Sequence, residues 1–208
     1  GQSGRTTAQF TTALDERYFD LEKYHGQKGA KLAAESHQMA LNKIVEIIQN
    51  EKLQCEAQRV NGYLLSDNRK LLERELVAVH RAGLQEVNLL ERSPLGFSGS
   101  CLQFPNQLQL HPVRYLKGLT EKLVHGGVNI FTRTRAIEFK GGANARVKTS
   151  HGFEIKCKAI VVATHTPVND VVAIHTKQAS YRTYVLGFRV SQNSTPDGLY
   201  WDTLDPYH

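Results

Sequence analysis

Ala159-Ile160-Val161-Val162-Ala163-Thr164 is the stretch on which the fold class turns. Three β-branched residues stand in a row, and Pro167 follows shortly after the run. Nothing alternates along it, so both faces are expected to be buried, as in the central strand of a parallel sheet. Ligands of open α/β sheets lie just beyond the carboxyl ends of such strands. Ala163 and Thr164 occupy that end, where small side chains let a ligand come close.

A second feature lies far upstream. Gly1-Gln2-Ser3-Gly4-Arg5-Thr6-Thr7 opens the chain with a glycine-flanked loop and no initiator Met. Glycines bring backbone near an anion, while Arg5, two threonine hydroxyls and free helix N–H groups face its charge. The plain alternative is an ordinary flexible start. A phosphate grip with no strand ahead of it leads us to expect a slice of a longer protein.

Between these features the spacing predicts alternating elements. Thr11 or Thr12 is expected to cap a helix reaching Tyr24, with Leu14, Tyr18 and Leu21 on one face and Gly26 at its end. A longer helix is expected from Gly29 to Lys52, packing through Ala33, His37, Ala40, Ile44, Ile47 and Ile48. His37 on that stripe reads as a satisfied core histidine. A strand over 60–65 and a helix over 71–82, closed by Gly83, come next. Leu102–Phe104 and Gln107–Leu110 are expected to pair as a hairpin across Pro105-Asn106.

Pro112 suits the first position of a helix facing inward through Val113, Leu116, Leu119 or Thr120, and Leu123. Gly126-Gly127 would end it before a strand over 128–131. Short strands near 135–139, 146–149 and 153–156 form a meander around Gly141-Gly142 and His151-Gly152. Later strands are expected over 181–190 and 199–201. This order describes the later part of a dinucleotide-binding domain. Its first strand, the G-x-G-x-x-G turn and the ribose-binding acid are absent from the sequence.

The chain has 208 residues, 40% of them hydrophobic, which is enough for a real core. The formal charge is +6, from 26 basic and 20 acidic residues. No run of five like charges occurs, so solvated strand faces explain the excess better than a nucleic-acid surface. Cys55, Cys101 and Cys157 show no metal-ligand spacing, so no metal site is expected within this stretch. They read as reduced thiols of a cytoplasmic protein. No apolar run approaches the length of a membrane helix.

Several separate segments together resemble the FAD-dependent oxidoreductases of the D-amino-acid oxidase and glycine oxidase superfamily. They are Ser3-Gly4-Arg5-Thr6-Thr7-Ala8, Leu14-Asp15-Glu16-Arg17-Tyr18, Leu110-His111-Pro112, Val161 to Asp170, Lys177-Gln178, Tyr181-Arg182-Thr183-Tyr184 and Tyr200-Trp201-Asp202. The closer likeness is to a bacterial branch that often carries a C-terminal Rieske domain. The resemblance implies an α/β fold: a Rossmann-like FAD-binding domain lacking its first βα unit, with a mixed or antiparallel α+β substrate domain. Residues 1–52 and 112–170 would belong to the first, and 53–111 and 171–208 to the second.

It further implies that Ser3, Gly4, Arg5, Thr6 and Thr7 pass along the FAD pyrophosphate. Ala136 would meet the adenine through its backbone, and Ala163 and Thr164 would approach the cofactor. His165 departs from the family pattern. The implied reaction oxidises the C–N bond of a small amine or amino acid by hydride transfer to flavin. An electron-transfer partner, and a Rieske iron–sulfur cluster outside this stretch, are implied as well. No catalytic residue is assigned; Tyr181, Arg182 and Tyr184 are candidates for the substrate pocket. A non-catalytic binding or assembly module on the same fold is the alternative.

Overall fold

The computed structural model describes residues 2–164, 184–191 and 194–204. The chain divides into two compact units, residues 1–126 with 187–208 and residues 127–186. The first is built on a mixed sheet of five strands: β1 (Gln9–Phe10), β2 (Gln58–Ser66), β3 (Asn88–Leu90), β4 (Ser100–Gln109) and β8 (Leu199–Asp202). Its order is β1-β4-β2-β8, with β3 also paired to β4. All pairs are antiparallel except β2 with β8. Three helices accompany it: α1 (Tyr18–Glu51), α2 (Arg69–Arg81) and α3 (Pro112–His125).

α1 begins later than its sequence suggests. Thr12 does not cap a helix; its N–H donates to Gln107 Oε1 at 2.6 Å, and its carbonyl accepts from the Tyr18 hydroxyl at 2.6 Å. These bonds hold 11–17 in an irregular turn. The first helical N–H groups still need acceptors. Arg17 offers none from its side chain, so Glu75 of α2 supplies both: Oε1 accepts from Tyr18 N at 3.0 Å and Oε2 from Phe19 N at 3.3 Å.

Gly26 does interrupt the helix, at φ 70° and ψ 169°, and a second helical segment resumes at once. That segment buries Ala30, Ala34 and Leu41; of the expected stripe, Ile44, Ile47 and Ile48 pack against the second cluster, whereas His37 and Ala40 do not. His37 is therefore exposed rather than in the core, with Nδ1 bonded to the Ala33 carbonyl at 2.9 Å.

α2 starts two residues before the expected 71, where Asn68 Oδ1 accepts from Leu71 N, and Gly83 takes φ 105° just past the end, as read. The expected hairpin across Pro105-Asn106 is instead one continuous strand. β4 keeps its pairing to β2 on both sides by a bulge, where the register shifts between Val60 and Gly62. Pro lacks the ladder N–H and Asn tolerates left-handed backbone, so a bulge suits both; Asn106 has φ 59°.

One face of the sheet forms the main core, where Leu64, Leu102 and Phe104 meet Tyr18, Leu72 and Val79. Trp201 packs against it, its ring 6.1 Å from that of Phe104. Gly62 is required here: a Cβ would lie 2.6 Å from the Trp201 ring and 3.2 Å from Gln107. Gly62→Ala is expected to destabilise this unit by about 1–3 kcal/mol through overpacking. Trp201 is the only tryptophan of the chain, so its fluorescence reports on this contact alone. An unshifted emission maximum together with unchanged stability would count against the packing argument.

A second cluster joins Leu41, Leu53, Cys55, Leu108 and Leu110, with Tyr115 and Leu119 of α3 against it. Of the inward residues expected on α3, Leu119 packs here as read, whereas Tyr115 takes the place of the others. Val113, Leu116 and Leu123 are 50%, 43% and 42% exposed. Gly118 explains the choice, because a Cβ there would stand 3.1 Å from Leu53.

The second unit holds the expected meander of β5 (Ala136–Lys140), β6 (Arg146–Thr149) and β7 (Glu154–Lys156), all antiparallel. Among its described residues Ala145 and Thr149 are buried. The segments expected as strands at 128–131 and 159–164 are not strands among the described residues, and Val161 is 87% exposed. The same holds for 184–190, while 181–183 lie outside the described residues. A strand needs a neighbour for its N–H and C=O groups, and no described strand stands beside these. No described helix is long and apolar enough to cross a membrane.

Candidate functional site

A cavity of about 480 Å³ lies in the first unit between the opening loop and the start of α3. Its walls include Ser3, Gly4, Thr6 and Ala8 on one side and Glu56, His111 and Val113 on the other. Each wall is fixed by local chemistry. Gln2–Gly4 form a 3₁₀ turn, and Thr6 Oγ1 accepts from Ala8 N at 3.3 Å. The loop then joins the sheet through β1, where Gln9 pairs with Gln109 and Phe10 with Leu108.

The opposite wall is set by the join between α1 and β2. The Cys55 carbonyl accepts from His111 N at 2.7 Å, which ties that join to the start of α3. Glu56 is ion-paired with Arg114, so a carboxylate on the wall is offset by a guanidinium. Gln58 and Gln109 bond side chain to side chain at 3.2 Å along the floor. Burial pushes the Cys55 thiol and the Tyr115 phenol above their ordinary values, so both stay neutral beneath the site.

Two wall residues adopt left-handed backbone without being glycine: Ala8 at φ 64° and Glu56 at φ 55°. Such conformations cost about 1–3 kcal/mol each and cluster at ligand sites. The donor set suits a polar, anionic group. Thr6 spends a lone pair on Ala8 N and keeps its hydroxyl hydrogen, Ser3 offers a second hydroxyl, and Gly4 exposes backbone. These residues fit the diphosphate portion of a dinucleotide, and the His111 imidazole is the one aromatic ring among the wall residues.

The sequence-predicted contacts fall into two sets. Ser3, Gly4 and Thr6 come together on the cavity, whereas Arg5 and Thr7 are exposed and off its wall. Ala136, Ala163 and Thr164 belong to the second unit. There Ala136 begins β5 opposite Thr149, and Ala163 and Thr164 are exposed. Of the pocket candidates, Tyr184 is 90% exposed, while Tyr181 and Arg182 lie outside the described residues, as does His165. The roles of Glu56 and His111 were not predicted. A histidine directly before a helix-starting proline was the available signal for the second.

The solved structures that resemble this one share its fold. Glycine oxidase from Geobacillus kaustophilus superposes with a TM-score of 0.60 at 14% identity, over 79% of this chain and 45% of that one. L-Amino acid deaminase from Proteus vulgaris gives 0.53 at 15% identity, over 74% and 36%. A protein of Bacillus subtilis (strain 168), the Rieske 2Fe-2S iron-sulfur protein YhfW, is 29% identical over 211 residues. That match takes in 99% of this chain and 41% of the relative, so the chain spans under half the length of that protein. The sequence model of the FAD dependent oxidoreductase family, DAO, matches residues 1–206, and the chain belongs to that family.

Proposed function

We propose that the protein oxidises the C–N bond of a small amine or amino acid, using FAD held in part by the cavity beside α3. The observation that carries this is the strained, hydroxyl-lined wall of Ser3 to Ala8 facing the start of α3. On the first unit, Ser3, Gly4, Arg5, Thr6 and Thr7 are the proposed contacts. On the second, Ala136, Ala163 and Thr164 are proposed separately. Bound FAD would accept the hydride; the residues of this chain bind it, orient it and exclude water from it.

Residues 1–52 and 112–170 are proposed to serve the cofactor, and 53–111 and 171–208 the substrate. The Rieske naming of the Bacillus relative supports an electron-transfer partner or an attached iron–sulfur cluster as electron acceptor. Full-length protein purified from cells is expected to be yellow, with flavin absorption bands that bleach when amino acids or amines are added without oxygen. A protein that stays colourless after incubation with FAD would defeat the proposal. A yellow protein bleached by no amine would leave the cofactor and remove the reaction.

A further inference from the structure

We infer that His111 is a cofactor-binding residue that donates a hydrogen bond from Nε2 to a phosphate oxygen of the dinucleotide. The inference rests on the reading of the cavity as an FAD site. Arg114 N donates to His111 Nδ1 at 3.4 Å, and a backbone amide can only donate. Nδ1 is therefore the acceptor, and the neutral ring carries its hydrogen on Nε2. His111 N is spent on the Cys55 carbonyl at 2.7 Å, so the residue is held at both backbone and ring.

Among the described residues no hydrogen bond reaches Nε2, and His111 lines the cavity together with Ser3 and Thr6. Three residues that carry donors thus line one space: Ser3 and Thr6 with their hydroxyls and His111 with its imidazole N–H. A phosphate oxygen is the acceptor that matches them, because it takes several N–H and O–H donors at once. Pro112 has no N–H, so the first residue of α3 leaves this donation to the histidine.

Full-length apoprotein titrated with FAD tests this. His111→Asp keeps an acceptor for Arg114 N but removes the donor and adds negative charge. It is expected to weaken FAD binding by about 10- to 100-fold, the range for a hydrogen bond to a charged group. His111→Asn keeps both an acceptor and a shorter donor, and is expected to lose about 3- to 10-fold. The ³¹P resonances of bound FAD should shift in both variants relative to wild type. Thermal melts of the apo forms check folding, and if His111→Asp fails to fold, the asparagine variant decides. Wild type that binds FAD while the folded variants bind equally well, with unmoved ³¹P signals, overturns the role of His111 and leaves the proposed function standing. Wild type that binds no FAD brings down both.

Discussion

Glu75→Ala is expected to cost about 2–4 kcal/mol, because the buried Tyr18 N–H and the partly buried Phe19 N–H then lose the carboxylate that accepts from them, at about 1–3 kcal/mol for a buried group and less for the other. Glu75 is 2% exposed and Tyr18 is fully buried, so water does not replace the lost carboxylate. The penalty falls at the first turn of α1, the element that joins the main core to the second cluster through Tyr18 and Leu41. Native-state hydrogen exchange at the Tyr18 and Phe19 amides measures it in the full-length protein. A loss below about 0.5 kcal/mol, within the range of an ordinary surface change, would refute the capping role.

The same carboxyl gives a pH dependence with a definite sign. Burial raises it above the ordinary carboxylate range, although the bonds from Tyr18 N and Phe19 N pull the other way. Arg17 lowers it further and Asp20 raises it. The folded state therefore holds this proton more tightly than the unfolded chain. The stability it contributes is full below the unfolded value and is lost as pH rises through the folded one. Glu75→Gln removes the titration and should flatten the stability profile across that window.

Elements decided by local chemistry were legible in the sequence. Gly83 closes α2, Pro112 and Gly126 bracket α3, and the turns at 141–142 and 151–152 space the meander. What escaped depends on partners distant in sequence. Thr12 fails as a cap because Gln107, 95 positions away, takes its N–H. The face of α3 is chosen by Leu53 against Gly118. Half of the candidate site was readable for the same reason: the opening loop announces itself by composition, whereas the left-handed Glu56 and the ring of His111 acquire meaning only when β1 and α3 close around them.

The exposed apolar segments outside any described strand lead to the other large effect. Val161, Leu186 and Phe188 are 87%, 79% and 80% exposed, and Phe131 is 69% exposed. Each lies in a stretch rich in β-branched or aromatic residues that forms no strand among the described residues. Such stretches template pairing with other chains. The 208-residue chain prepared alone is therefore expected to self-associate at micromolar concentration and to bind a dye for exposed apolar surface strongly. We also expect it to bind FAD at least about 100-fold more weakly than the full-length protein, a loss of about 2.7 kcal/mol. Sedimentation velocity and equilibrium dialysis settle both points. A monodisperse monomer that takes up FAD tightly, one to one, would mean that these segments need no further partner and that the cofactor contacts within residues 1–208 suffice.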